Sequence, residues 1–241
     1  MDFAYGQFYR NLYYKHWWWR AREAAILDVL RRYNPGGGWG NILDIGCGDG
    51  LFFDQLSKFG DVEGVEPSPD LVTSNHPHRT RIHPCPFDRN FQPGKLYSLI
   101  LLLDVLEHLS DPVCALHHAL NLLTENGMVL ITVPAFKVLW TNQDVINHHL
   151  IRYTKESLRG VAEKAGMRIE EERYWFQWIF PVKLVQRAVE RLLHSRPANP
   201  RIPIRPINEA LYFFSRAELA LAGKVPFPFG SSLYVLGRKA G

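Results

Sequence analysis

Short apolar runs alternate with amphipathic segments through most of this 241-residue chain. The apolar runs have the length of buried strands, and the segments between them carry apolar residues at helical spacing. This alternation predicts an α/β fold with a doubly wound, mostly parallel sheet that has helices on both faces. We predict strands near Asn41–Ile45, Asp61–Val65, Arg81–His83, Tyr97–Leu103, Met128–Val133, Arg168–Arg173 and Ser231–Gly237.

The helices predicted around these strands include one with clear end signals, since Thr154 is a suitable N-cap and Gly166 a suitable C-cap. Beyond Arg173 the alternation stops, and a helical insertion rich in arginine and proline precedes the last strand. The insertion is too short and interrupted to form its own core, so we predict a single domain. The predicted helices are Trp18–Tyr33, Leu51–Phe59, Pro69–Ser74, Pro112–Leu123, Lys155–Ala165, Val182–His194 and Ile207–Ala222.

The composition, with 46% hydrophobic and 22% charged residues, is that of a globular protein. Three scattered cysteines, Cys47, Cys85 and Cys114, lack metal-site spacing and favour a reducing compartment. The sequence has neither a secretory signal nor an apolar run of about 18 residues. We therefore expect a cytoplasmic protein, with any membrane contact peripheral and on the inner face of the membrane.

Charge is distributed unevenly. Residues 1–167 carry 16 Lys+Arg against 18 Asp+Glu, whereas residues 168–241 carry 12 against 6. A basic segment of this kind suits nucleic acid, anionic lipid or an acidic substrate, and it equally suits a solvated surface.

The stretch ILDIGCGDG, residues 42–50, places a predicted strand directly before three glycines. Such a loop lets the backbone approach a nucleotide-like ligand at the carboxyl end of a parallel strand. Its spacing is not the GxGxxG of dinucleotide sites, and no Gly-Lys-Ser/Thr phosphate loop follows. Asp44 and Asp49 would repel a pyrophosphate and instead favour a ligand with positive charge and hydroxyl groups. Glu66, at the end of the next strand, is placed to accept hydrogen bonds from a ribose.

Four segments in order, ILDIGCGDGLF, VEGVEPSP, LILLLDVLEHLSDP and LLTENGMVLITVP, resemble the motifs of class I S-adenosylmethionine-dependent methyltransferases of the type 11/12-like group. The resemblance covers about residues 42–166. It implies a seven-stranded Rossmann-like methyltransferase sheet, with an aromatic N-terminal helix and a helical insertion before the last strand. Four parts of the chain are expected. Residues 1–40 form a helical lid on the cofactor, and residues 41–174 form the cofactor-binding core. Residues 175–230 form an insertion that covers the acceptor, and residues 231–241 form the last strand.

The resemblance also implies roles for individual residues in binding S-adenosylmethionine. Asp44 is expected at the methionyl ammonium, Glu66 at the ribose, and Phe87 with Asp88 at the adenine. Asp88 has an alternative interpretation as a surface loop residue. The full set implied for the cofactor is Asp44, Gly46, Cys47, Gly48, Glu66, Pro67, Phe87, Asp88 and Asp104.

Two histidines are the candidate catalytic residues. His108 ends the segment Asp104-Val105-Leu106-Glu107-His108 after the fourth strand, where an imidazole can act as a general base. A similar segment in quinone-pathway O-methyltransferases is associated with a divalent metal, and helix bracing is the structural alternative. We assign no metal site from the sequence. His149 lies in a segment resembling the H-x-x-RYT stretch of many relatives, where the loop approaches the substrate.

These features predict an enzyme, a methyltransferase acting on a small-molecule, glycan or lipid-linked acceptor at oxygen or nitrogen by in-line displacement. The alternatives are a quinone-pathway O-methyltransferase and a non-catalytic S-adenosylmethionine-binding subunit at a membrane or with a partner. We do not expect nucleic acid as a partner, because no base-flipping motif or added module is present. Aromatic and basic residues at the N-terminus and in the insertion suit either core packing or a bilayer interface.

Overall fold

The computed structural model describes residues 3–71, 77–193, 199–222 and 227–241, whose strands form one sheet. The strand order is 3-2-1-4-5-7-6, and the last strand runs antiparallel to both neighbours, so the predicted fold class is confirmed. The strands are β1 (Gly40–Ile45), β2 (Gly60–Val65), β3 (Ile82–His83), β4 (Tyr97–Leu103), β5 (Leu123–Pro134), β6 (Met167–Trp175) and β7 (Ser232–Lys239).

The helices lie on both faces of the sheet. Lys155–Ala165 matches its predicted range, with Thr154 as N-cap and Gly166 in the left-handed conformation that ends the helix. The helices are α1 (Phe3–Lys15), α2 (Trp17–Tyr33), α3 (Phe53–Leu56), α4 (Pro112–Asn121), α5 (Asn142–Ile146), α6 (Lys155–Ala165), α7 (Ile179–Leu192) and α8 (Arg205–Ala222). Residues 1–40 were predicted to be helical, but separate bounds for α1 were not predicted, and α5 was not predicted at all.

Several predicted boundaries differ from the structure. The helix expected at Leu51–Phe59 is confined to α3, and only a short 3-10 turn, Pro69–Leu71, lies where Pro69–Ser74 was predicted. Residues 72–74 of that prediction lie outside the described residues, as does His194, the predicted end of α7. The α7 helix begins at Ile179, three residues before the predicted start.

The core consists of two apolar layers on either side of β4. Leu99, Ile100, Leu101 and Leu102 are fully buried, which explains why this strand reads as one unbroken apolar run. One layer packs against α4 and α6, and the other packs against α2.

The parallel strands bring their carboxyl ends to one edge of the sheet. β1 pairs in parallel with both β2 and β4, and β4 pairs in parallel with β5. The strand order reverses direction between β1 and β4, which is where α/β sheets bind ligands. No helix in the described ranges is long and apolar enough to cross a bilayer.

Candidate functional site

The glycine loop after β1 turns back onto the end of β2. The backbone amides of Gly46 and Cys47 donate to the carbonyl of Val65, at 2.8 and 3.2 Å. Gly46 has φ +73°, and a Cβ built there would lie 2.8 Å from the Val105 side chain. A side chain at position 46 would therefore be strained at this φ and would force the Val105 side chain to move.

Glu66 holds this loop through both of its carboxylate oxygens. The Gly48 amide donates to Oε2 at 2.9 Å, and the Ser68 amide donates to Oε1 at 2.8 Å. The side chain is 6% exposed. Each carboxylate oxygen has a second acceptor position, so a ribose diol can bind without displacing the amides.

Asp44 lies buried at the end of β1, beside Glu66. Burial, with the charge of Glu66 added, raises the pKa of Asp44 to about 7. A cationic ligand group here would offset the repulsion between the two carboxyl groups. The donor set thus fits S-adenosylmethionine, which offers an ammonium group and two ribose hydroxyls. Cys47 is half-buried, and desolvation of its thiol with the charge of Asp44 raises the thiol pKa, so the thiol stays protonated.

Helix α1 lies over the glycine loop. Arg10 forms an ion pair with Asp49, and Tyr13 donates a hydrogen bond to Glu23 of α2. Burial and the charge of Glu23 raise the pKa of the Tyr13 phenol. These contacts connect the N-terminal segment to the loop that the lid prediction expected it to cover.

The predicted adenine residues follow β3, next to β2 in the sheet. Phe87 is half-buried, with its ring 5.0 Å from that of His118. Asp88 is exposed and accepts a hydrogen bond from the Asn90 amide at 2.8 Å, as in a surface turn. Pro67 is exposed at the end of β2.

Asp104 connects the ends of several strands through Arg22. Its backbone has φ +56°, and its carboxylate lies 2.5 Å from the Arg22 guanidinium. Arg22, buried on α2, also donates to Thr132 of β5 at 2.6 Å. The sequence analysis missed Arg22. The sequence does contain a clue to Arg22, because this charged residue lies on the same face of the helix as the apolar Ala25 and Ile26.

Glu107, His108 and His149 form a cluster beside Asp104. One ligand-type atom from each lies within 4.8 Å of the others, and the two imidazole rings are 4.9 Å apart. Burial and the neighbouring His149 lower the pKa of His108, which is therefore neutral at pH 7. Glu107 is fully buried, and neither of its carboxyl oxygens has a hydrogen-bond partner among the described residues. Burial and the charge of Asp104 raise the Glu107 pKa well above its usual range.

His149 is oriented by Asp144, a residue that the sequence analysis did not single out. The Asp144 carboxylate lies 2.8 Å from His149 Nδ1 and 2.7 Å from Arg152 Nε. Burial alone would raise its pKa, but these hydrogen bonds outweigh burial and hold the Asp144 pKa well below its usual range. An ionised Asp144 accepts a hydrogen bond from the Nδ1–H of His149, and in the neutral imidazole this tautomer has its lone pair on Nε2.

The loop that carries His149 is fastened to the sheet. Arg152 donates to the carbonyl of Ala135 at 2.9 Å, and the Tyr153 hydroxyl donates to the carbonyl of Leu106 at 3.1 Å. Lys183 of α7 is half-buried near this network, where burial and the charge of Arg152 lower its pKa to about 8. The insertion therefore reaches the same end of the cleft as the two histidines.

Comparisons with known proteins bear on this site. Curated relatives include ubiquinone biosynthesis O-methyltransferases from Azorhizobium caulinodans, 28% identical over 61% of this chain and 59% of the relative, and from Bradyrhizobium diazoefficiens, 30% identical over 46% and 47%. The matched region thus spans about half to three fifths of these relatives' length.

Solved structures share the fold. A putative methyltransferase from Haloferax volcanii, determined in complex with the Trm112 activator, has a TM-score of 0.60 at 16% identity and covers 99% of this chain and 95% of its own. The N-methyltransferase NodS from Bradyrhizobium japonicum, in complex with S-adenosylhomocysteine, has a TM-score of 0.54 at 13% identity and covers 92% and 88%. The methyltransferase domain family model matches residues 18–172, and the chain belongs to that family.

Proposed function

We propose that this protein is an S-adenosylmethionine-dependent methyltransferase that acts on an oxygen of a small-molecule acceptor. The observation that carries the proposal is the pairing of two sites at one sheet edge. Buried Asp44 and Glu66 lie at the glycine loop, and the histidine cluster lies after β4. The choice of oxygen is supported by the relatives described above, which are ubiquinone biosynthesis O-methyltransferases.

Three elements would hold the cofactor. Glu66 accepts hydrogen bonds from the ribose, Asp44 faces the ammonium group, and Phe87 packs against the adenine. When bound, S-adenosylmethionine supplies an electrophilic methyl group whose transfer leaves a neutral thioether. Helix α1 would cover this end, and α7 would cover the acceptor end.

His108 takes the proton of the acceptor hydroxyl. Bound S-adenosylmethionine would supply the methyl group, whose carbon–sulfur bond would break as the acceptor oxygen bonds to the methyl carbon. The hydroxyl proton would pass to the neutral imidazole of His108. His149, oriented by Asp144, positions the acceptor or relays that proton to solvent. The low pKa of His108 keeps its lone pair available for this step at neutral pH.

A divalent cation at Glu107, His108 and His149 is a second form of the proposal. It is favoured by the two buried, unpartnered carboxyl oxygens of Glu107, since such groups are rarely left unsatisfied. A cation there would make the acceptor hydroxyl more acidic. Turnover that is lost on chelation and restored by one added cation supports this form. Turnover unchanged by chelation supports His108 as the base without metal.

A methyl-label transfer screen tests the activity. The acceptors are catechols and phenols of the quinone-precursor type, lipid-linked glycans and amines, and calorimetry measures S-adenosylmethionine binding in parallel. Label recovered on a phenolic or alcoholic oxygen supports the proposal, whereas label only on nitrogen overturns the oxygen assignment. Binding without transfer to any acceptor would favour the non-catalytic alternative. Absence of binding would contradict the cofactor assignment itself.

A further inference from the structure

Helices α7 and α8 expose an apolar surface that the catalytic proposal does not use. We call it the outer face and define it by Val182, Val185, Val189 and Leu192 of α7 with Ile207, Phe213, Phe214 and Leu221 of α8. On α7 these residues recur every three or four positions and so lie along one side of the helix. Leu192 is 78% exposed and Phe213 is 65% exposed. The two helices meet at the start of α7, where the Trp178 ring lies 5.5 Å from that of Phe214. Clustered exposed apolar residues mark interaction sites.

The polarity of α8 is inverted relative to an ordinary surface helix. Its two buried residues, Asn208 and Ser215, are polar and hydrogen-bond to α2 and to Trp178. Tyr212 and Leu219 are partly buried beside them. Surface helices normally turn polar residues to water and apolar residues to the core. The reverse arrangement indicates that the outward side of α8 meets an apolar phase.

Helix α7 shows the same inversion. Ile179 is its only buried residue. Arg187 and Glu190 face the protein, because Arg187 donates to the carbonyl of Lys137 at 2.9 Å and Glu190 accepts from the Asn142 amide at 2.8 Å. Gln186 and Arg191 are exposed. Two successive helices therefore present apolar residues outward.

The charge around the outer face is positive. Residues 175–230 contain 8 Lys+Arg and 3 Asp+Glu, whereas the rest of the chain contains 20 and 21. An open groove of about 520 Å³ lies along α7, lined by Lys137, Val138, Leu184, Arg187, Ala188 and Arg191. Of its three cations, Lys137 and Arg191 are exposed, and exposed cations beside an apolar stripe are typical of helices that lie in a bilayer interface.

We propose that the outer face docks onto an anionic lipid bilayer. The apolar side chains enter the boundary between headgroups and acyl chains, and the exposed cations Lys137, Arg191 and Arg205 contact lipid phosphates. A second copy of the chain fits less well, since a two-fold interface joins identical patches and would bring two basic grooves together. Because α7 follows the carboxyl end of β6, docking turns the acceptor end of the cleft toward the bilayer.

Vesicle flotation of the full chain tests the proposal without cofactor or acceptor, so its outcome is independent of the catalytic assignment. The vesicles are phosphatidylcholine alone, or phosphatidylcholine with about 30 mol% phosphatidylglycerol. We expect binding to the anionic vesicles that weakens in high salt, since screening reduces attraction between exposed charges. Replacing the aromatic anchors, Phe213→Ser with Phe214→Ser, should reduce partitioning at least tenfold.

Two further variants separate the contributions. Arg191→Glu with Arg205→Glu should reduce binding to anionic vesicles and leave residual binding to neutral ones unchanged. Leu96→Ser is the matched control, because Leu96 is 49% exposed and lies before β4, at the opposite edge of the sheet. Thermal unfolding by circular dichroism confirms that each variant folds.

Three outcomes would overturn the docking proposal. The first is no binding to either vesicle, and the second is an equal loss with Leu96→Ser. The third is a dimer in analytical ultracentrifugation that the Phe213/Phe214 variant disperses, without vesicle binding by the wild-type chain. That last result would assign the outer face to a second copy.

Discussion

The cofactor end and the acceptor end of the cleft differ in how their side chains are held. At the cofactor end, Glu66 is fixed by two backbone amides within twenty residues of the glycine loop. At the acceptor end, Asp104 and His149 are held by charged side chains, Arg22 and Asp144. The first end depends on backbone amides of the loop, whereas the second depends on pairs between side chains, one of which joins Arg22 of α2 to Asp104 after β4. Substitutions at the two ends should therefore have separable effects.

The largest effect is expected at the acceptor end. His108→Ala removes the proposed base and should lower turnover by about 10²–10⁴-fold, the usual contribution of a positioned general base. S-adenosylmethionine affinity should change by less than about threefold, because the cofactor end is held independently. His117→Ala is the matched control, since His117 lies on α4 and bonds the carbonyl of Ala165. Single-turnover rates measure the methyl transfer, and calorimetry measures the affinity for S-adenosylmethionine. An equal loss of both would contradict independent cofactor and acceptor ends.

Glu66→Ala should have the opposite pattern. It removes two charge-assisted hydrogen bonds to the ribose and frees the Gly48 amide, so affinity for S-adenosylmethionine should fall about a hundredfold. Asp61→Asn, an exposed acid at the other end of β2, serves as control and should leave affinity unchanged. Calorimetry with S-adenosylhomocysteine checks the same site without turnover. Wild-type affinity in Glu66→Ala would remove Glu66 from the site.

The same contrast explains what the sequence could predict. The strands, the fold class and the cofactor motif depend on local periodicity and on residues close in the chain, and β4 matches its predicted range. The helix Lys155–Ala165 was predictable because Thr154 and Gly166 are strong end signals. By contrast, the contact of Arg22 with Thr132 spans 110 residues, and no local pattern encodes it.

Asp144 was missed for a different reason. Its spacing from Thr141 is that of a capping box, which the structure contains at the start of α5. That signal predicts a helix start and says nothing of the contacts to His149 and Arg152. The candidate residues His108 and His149 were named from the sequence, but their mutual distance and the burial of Glu107 required tertiary structure.

Asp144→Asn should destabilise the acceptor end and leave the cofactor end unchanged. It leaves Arg152 buried without its charge partner, which should lower the free energy of unfolding by about 2–4 kcal/mol. Arg168→Gln, which removes an exposed ion pair with Glu170, should cost less than about 1 kcal/mol. Urea unfolding measures the free energy of unfolding of both variants. A decrease below about 1 kcal/mol in Asp144→Asn would contradict a stabilising role for the contacts of Asp144 with Arg152 and His149.

The effect of Asp144→Asn should also depend on pH with a definite sign. The Asp144 pKa is lower in the folded protein than its ordinary value of 3.8, so its stabilisation is present above that value. It is lost as the pH falls toward the lowered pKa. The difference in unfolding free energy between wild type and Asp144→Asn should therefore be larger at pH 7 than at pH 3. A difference that does not change over this range would contradict an ionised Asp144.

The smallest effect is expected from Asp44, whose pKa of about 7 places its titration in the neutral range. The ionised form binds the cofactor ammonium, and the ionised fraction rises from about one tenth at pH 6 to about nine tenths at pH 8. Affinity for S-adenosylmethionine should thus increase up to about tenfold over this interval. Asp44→Asn should weaken binding at pH 8 and remove most of the pH dependence. Because the ionised Asp44 is repelled by Glu66 until a cation arrives, the increase in melting temperature on adding cofactor should likewise be larger at pH 8. Equal pH dependence in wild type and Asp44→Asn would place the titrating group elsewhere.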